Sequence, residues 1–119
     1  MAAHPRAVNL HTEGSLRHGV VYVGRGRRTW GLPRSKYGNP FPPGSDGVDT
    51  LETSLRLYAE HLTAAGLTSQ ARIELAGSEL ACWCVPRPCH ASLLAWVVDG
   101  DDPQTAFGRV MADQHPTLF

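Results

Sequence analysis

The sequence has no long apolar run. The stretch Leu93 to Val98, six residues, is as long as any, against about 20 residues needed to span a bilayer. The start, MAAHPRAVNLH, lacks the apolar core of a signal peptide, so a protein that stays in the cell is expected. There are only three cysteines, an odd number that cannot all close into internal disulfides, and a reducing, cytoplasmic setting is expected. Net charge is also lacking: eleven Lys and Arg offset eleven Asp and Glu, whereas dedicated nucleic-acid binders are usually basic. No internal repeat is visible, which excludes a solenoid. A membrane protein, a repeat array and a multidomain enzyme are thereby set aside.

What is present fits one small globular domain. The chain has 119 residues, 42% of them hydrophobic and 18% charged, enough for a single core and too apolar for wholesale disorder. A single domain over 1–119 is expected. The charge, though balanced, is unevenly placed. Residues 1–36 hold seven bases and one acid, and the remainder holds four bases and ten acids. Such asymmetry points to an anionic partner for the first half, or to attraction between the two halves once folded.

Val20 to Val23 reads as a strand, rich in β-branched and aromatic residues and stopped by Gly24, and Ala7 to Leu10 as a shorter one. Gly24 to Gly47 is a long loop rich in glycine and proline, and its aromatics Trp30, Tyr37 and Phe41 predict that it is ordered against the body. Leu51, Leu55, Tyr58 and Leu62 recur at helical spacing, with Asp49 or Thr50 as cap and Gly66 as stop. A second helix is expected from a Thr68 or Ser69 cap to Gly77, with Ile73 on its apolar face. Leu80 to Cys84 reads as a buried strand, Cys89 to Val98 as an apolar helix, and Gln104 to Ala112 as a last helix. The fold class expected is α/β: a small open sheet with helices packed on it. A parallel pairing of the Val20 and Leu80 strands puts the loops after both on one edge, where open α/β sheets bind ligands. An antiparallel pairing separates them.

Three constellations could carry chemistry. Gly24-Arg25-Gly26-Arg27-Arg28 follows a strand directly; glycines let backbone N–H groups approach an anion, and arginines bind phosphate or carboxylate in bidentate fashion. The bland alternative is an exposed basic turn. Ser35-Lys36-Tyr37-Gly38-Asn39-Pro40-Phe41 can hold a tight shape. In it Lys36 and Asn39 offer donors and Tyr37 a stacking face, or the aromatics simply pack inward. Third is Cys82-Trp83-Cys84-Val85-Pro86-Arg87-Pro88-Cys89-His90. On a strand, Cys82 and Cys84 share a face. Cys89 and His90 open a helix, whose N-terminus favours thiolates and anions, and Arg87 adds to that effect. Three readings stand. Cys82, Cys84, Cys89 and His90 can be zinc ligands, although their spacing is not the usual two-knuckle pattern. Cys89 can be a reactive thiol with His90 as its acid–base partner. Or the cysteines are small buried hydrophobes and the histidine caps a helix. His4, His11, His18, His61 and His115 are scattered singles, expected to be solvated or structural.

The succession Val-Tyr-Val-Gly-Arg (21–25), Ser-Lys-Tyr-Gly-Asn-Pro-Phe (35–41) and Leu-Ala-Cys-Trp-Cys-Val-Pro-Arg-Pro-Cys-His (80–90) resembles domain of unknown function 4326, small proteins of bacteriophages and bacteria, actinobacteria included. The resemblance runs from about Ala7 to Val98, which makes 7–98 the family-like core and 99–119 an extension. The positions that carry it are Arg25, Lys36, Asn39, Pro40, Phe41, Cys82, Cys84, Cys89 and His90. The family pattern often has a glycine and an acidic residue after Cys-His, where this chain has Ala91 and Ser92. The resemblance implies no activity. A fainter, fold-level likeness of the strand–Cys–Cys-His–helix end points to other uncharacterised α/β families suspected of handling nucleotides.

The function expected is a cytoplasmic protein that binds a nucleotide-like anion, as a hydrolase or transferase on a nucleotide, nucleoside or related small molecule. Arg25, Arg27, Lys36 and Arg87 would bind the anion, Asn39 orient it and Tyr37 stack on it. Cys89 and His90 would react, or the Cys/His set would hold zinc. The alternative is a zinc-stabilised module, without catalysis, that binds nucleic acid or another protein.

Overall fold

The computed structural model of the chain describes residues 4–9, 19–24, 35–82 and 89–114. Among the described residues three short strands, β1 (Ala7–Asn9), β2 (Val20–Tyr22) and β3 (Glu79–Cys82), form one sheet in the order β1-β3-β2. Both pairings are parallel: Ala7 lies beside Leu80 and Asn9 beside Cys82, and Val20 lies beside Glu79 and Tyr22 beside Ala81. The last of these three strands is thus the central one. Its Leu80, Ala81 and Cys82 are buried, which accounts for an apolar run without alternation. Parallel pairing brings the C-terminal ends of all three strands to one edge.

Among the described residues four helices accompany the sheet: α1 (Leu51–Ala64), α2 (Leu67–Glu74), α3 (His90–Val98) and α4 (Pro103–Gln114). The Thr50 hydroxyl caps α1 by accepting the Thr53 N–H at 3.1 Å. The stripe Leu55, Tyr58, Leu62 is fully buried. Gly66, at φ +68°, takes the left-handed turn that ends α1 and immediately opens α2. The second helix therefore starts without the side-chain cap expected at Thr68 or Ser69. Its buried face is Leu67 and Ala71, continued by Leu75, while Ile73 is 81% exposed. Ile73 lies two residues from both Ala71 and Leu75, on the side of the helix opposite that stripe. The third helix is apolar nearly all round because it is central: Ala91, Leu93, Leu94, Ala95 and Val97 are buried in one cluster with Leu80, Cys82 and residues of α1, α2 and α4. Each such leucine contributes about 1.5–3 kcal/mol by leaving water. The opposite face of the sheet, with Val20, Tyr22 and Ala81, forms a second, smaller cluster.

The beginning of the chain is tied to α3. The buried His4 donates its backbone N–H to Ser92 Oγ at 3.3 Å. Its Nδ1 accepts the Arg6 N–H at 3.0 Å, so Nε2 carries the proton and donates to Asp99 Oδ2 at 2.6 Å. Arg6 bonds the other Asp99 oxygen and the Ser78 carbonyl. Burial alone pushes the Asp99 carboxyl up, but the His4 hydrogen bond and the Arg6 charge outweigh it and hold the group below the ordinary 3.8. His4, a solitary histidine in the sequence, is structural. Among the described residues no helix is long and apolar enough to cross a membrane.

Candidate functional site

The site is built where β3 ends and α3 begins. Cys82 is the last residue of the central strand. Cys89 is the N-cap of α3, held extended at φ −146° and ψ 148°, and its thiol makes no capping bond to the helix. The side chain turns to the sheet instead, and Cys89 Sγ lies 2.6 Å from Cys82 Sγ, both side chains buried and not joined as a disulfide. The next residue, His90, opens the helix. Its Nε2 lies 2.7 Å from the carbonyl oxygen of Val23, the residue that follows β2. A carbonyl only accepts, so Nε2 carries the proton. In the neutral ring Nδ1 is then a bare acceptor, and it faces Cys89 Sγ at 3.8 Å. The backbone of one strand thus fixes the tautomer that makes His90 a proton acceptor for the neighbouring thiol.

Tyr58 of α1 closes this cluster. Its ring meets the His90 ring edge-on at 5.4 Å between centroids. Its hydroxyl donates to the Tyr37 carbonyl at 2.6 Å. Burial first, then the negative charge that Cys89 and Cys82 would carry, pushes the phenol well above its ordinary 10, so it stays a neutral donor.

Through that bond the 35–41 loop is seated beside the cysteines. Gly24 accepts the Ser35 N–H at 3.1 Å, returning the loop to the end of β2. Gly38 allows this approach: a Cβ there would meet the Gly24 carbonyl oxygen at 3.0 Å and that of Ser35 at 3.1 Å. Asn39 Oδ1 accepts the Phe41 N–H at 2.9 Å, and Asn39 Nδ2 donates to Ser54 Oγ at 2.8 Å. Ser54, buried in α1, donates in turn to the Phe41 carbonyl at 2.5 Å. The Asn39 amide is therefore spent on bracing the loop to the helix.

Lys36 and Tyr37 converge on Glu74 of α2. Lys36 Nζ lies 2.9 Å from one Glu74 oxygen and 2.9 Å from Gln70 Oε1, and the Tyr37 hydroxyl donates to Glu74 at 2.5 Å. The Tyr37 hydrogen bond, then Lys36, hold the Glu74 carboxyl below its ordinary 4.5. Burial and that carboxylate raise the Tyr37 phenol far above 10. With 4% of its surface exposed, Tyr37 has no open ring face for stacking. The expected stacking role gives way to packing, because the ring fills the gap between loop and helices.

Of the residues picked out in the sequence, the structure gathers Cys82, Cys89 and His90 in direct contact and places Lys36, Tyr37 and Asn39 in the adjoining loop. Arg25, Arg27, Cys84 and Arg87 lie outside the described residues. Among the described residues no group of three or more His, Cys, Asp or Glu side chains is set to hold a metal ion; the zinc site expected from the sequence includes Cys84, which lies outside them. Sequence reasoning missed Tyr58, Ser54, Glu74 and the Val23 carbonyl. Tyr58 did carry a signal: a phenol inside an apolar helical stripe must find a buried partner. Glu74 carried none, since its partners lie 37 and 38 residues away.

Ser92, which stands where the family pattern often has an acid, is buried and accepts the His4 N–H. No acid is thus supplied from that position to orient His90, and the Val23 carbonyl does so instead. No curated protein and no solved structure matches the chain. Residues 8–100, most of the chain, match Domain of unknown function (DUF4326), and the chain belongs to that family.

Proposed function

We propose that the C-terminal edge of the sheet binds a nucleotide-like anion and that Cys89 is the nucleophile of a hydrolytic or group-transfer reaction, with His90 as its base. The observation that carries this reading is the orientation of His90. Its Nε2–H is held by the Val23 carbonyl and its Nδ1 faces Cys89 Sγ, the thiol–base–orienter relation that activates a nucleophile. Cys89 also stands at the positive end of α3, where thiolates are stabilised. The anion would be met by Arg25, Arg27 and Arg87, which the sequence places directly after β2 and before α3. Lys36 would join them by exchanging Glu74 for a phosphate, and Asn39 contributes by holding the loop that carries Lys36. The setting expected for such a protein is the cytoplasm.

Titration calorimetry with AMP and with inorganic phosphate tests the reading. Saturable binding of AMP, weakened at least about tenfold in Arg25→Ala as befits a lost charge-assisted hydrogen bond, supports it. A different outcome would carry the alternative function: no mononucleotide binding, together with duplex DNA binding that falls steeply with salt.

A second reading has one observation in its favour. A histidine that donates one ring N–H to a backbone carbonyl while the other nitrogen faces a thiol, itself in contact with a second, has the usual posture of a metal ligand. Cys82, Cys84, Cys89 and His90 would then hold zinc as a structural staple of a module that binds nucleic acid or another protein. Elemental analysis of untagged protein decides: one zinc per chain, lost in Cys84→Ser, makes the cluster a metal site.

A further inference from the structure

The contact between Cys82 and Cys89 has a chemistry of its own. The two sulfurs come from different elements, the end of the central strand and the cap of the following helix, and they touch. Both side chains are about 1% exposed, which keeps them from the thiols of other protein molecules and favours reaction with each other. His90 Nδ1 lies 3.8 Å from Cys89 Sγ, and Cys82 Sγ lies 2.6 Å from the same sulfur, so the thiol beside a proton acceptor has a second thiol in contact. An attacking thiol with a resolving partner in contact is the arrangement of a dithiol redox site.

We propose that Cys82 and Cys89 form a reversible disulfide on reaction with a hydroperoxide and that this bond switches the site off. It rests on the reading above in one respect, that Cys89 is the attacking thiol of the site; the contact between the two sulfurs is independent of that reading. The Cys89 thiolate attacks one peroxide oxygen, so that an S–O bond forms and the O–O bond breaks. The departing oxygen takes the proton held by His90 and leaves as water, or as an alcohol from an organic peroxide. Cys82 sulfur then attacks the sulfenic sulfur of Cys89. The S–S bond forms, the S–O bond breaks, and the hydroxyl leaves as water with the Cys82 proton. Two thiols have lost two electrons and the peroxide has gained them. The nucleophile is consumed, and a dithiol reductant restores it by thiol–disulfide exchange.

The test uses the full chain, reduced and freed of reductant, with stoichiometric hydrogen peroxide. Intact mass and peptide mapping follow the product. The expected result is a monomer lighter by about 2 Da, as disulfide formation requires, with Cys82 linked to Cys89 and full reversal by dithiothreitol. Cys84→Ser, which leaves the proposed pair untouched, should give the same linkage. Cys82→Ser should stop at a sulfenic acid on Cys89 that dimedone traps. Should Cys82→Ser fail to fold, the mapping in the wild type and in Cys84→Ser still decides. A bond from Cys84 to either partner, intermolecular dimers, or direct oxidation to sulfinic acid would overturn the proposal. Its failure is separable from that of the functional reading, because the bond is mapped without any ligand. Disulfide formation without AMP binding defeats only the latter. A Cys89 that iodoacetamide still alkylates in the peroxide-treated protein defeats the switch.

Discussion

Replacing Tyr58 with Phe removes one buried oxygen and keeps the ring. The side chain is fully buried and its hydroxyl donates to the Tyr37 carbonyl at 2.6 Å. A neutral hydrogen bond contributes about 0.5–1.5 kcal/mol net, and a buried carbonyl left without its partner costs about 1–3 kcal/mol. The expected loss is about 1–2 kcal/mol. For 119 residues, an unfolding entropy of about 2.1 cal/mol/K per residue converts this to a fall in Tm of about 4–8 °C. Far-UV circular dichroism during heating measures it. Burial and the charge of neighbouring thiolates keep the phenol neutral, so the gap between wild type and variant should be constant from pH 6 to 9. Hydrogen exchange should localise the weakening to the 35–41 loop, because that bond ties the loop to α1. An unchanged Tm would mean that the Tyr37 carbonyl finds another partner at no cost, and the account of how the loop is seated would fall.

Asn39→Ala should lower the urea midpoint by an amount equivalent to about 1–2 kcal/mol, since two half-buried hydrogen bonds disappear together; an unchanged midpoint would show that the brace to Ser54 is dispensable. Gly38→Ala should cost about 1–3 kcal/mol through overpacking against the Gly24 carbonyl, visible as a lower Tm and as faster exchange of the Ser35 amide. Glu74 has a folded pKa below its ordinary 4.5, so its contribution to stability is present above that value and is lost as pH falls through the lower folded value. Urea titrations should therefore show wild type more stable than Glu74→Gln at pH 7, with the advantage shrinking below about pH 4.5; a gap independent of pH would refute the role of the carboxylate.

The strands at Val20 and Leu80 were legible from their short apolar runs, but the sequence left their pairing open between parallel and antiparallel; the parallel register is what puts their C-terminal ends on one edge. The helix at Leu51–Ala64 was equally plain from its apolar stripe and the Thr50 cap. Cys82, Cys89 and His90 stood out by residue type and spacing, and local geometry, a strand end followed by a helix start, suffices to bring them together. What was not legible depends on long-range partners. Asn39, Lys36 and Tyr37 look like ligand-binding donors in isolation, yet each is engaged by Ser54 or Glu74 across helices that the loop sequence cannot specify. Ile73 was expected on the apolar face of a helix capped at Thr68 or Ser69, yet the core takes the Leu67, Ala71 and Leu75 stripe and leaves Ile73 on the opposite side. The orienter of His90 is a backbone carbonyl, which no side-chain pattern reveals.

The pairing of Cys89 with His90 is the centre of the account. Its most direct test is the rate at which iodoacetamide alkylates Cys89 at pH 7, followed by peptide mass spectrometry in wild type and His90→Gln. Circular dichroism would confirm that both are folded. The account predicts a rate at least about tenfold higher in wild type, suppressed by saturating AMP. Equal rates in the two folded proteins, insensitive to AMP, would contradict it and leave Cys89 a packed thiol or a metal ligand.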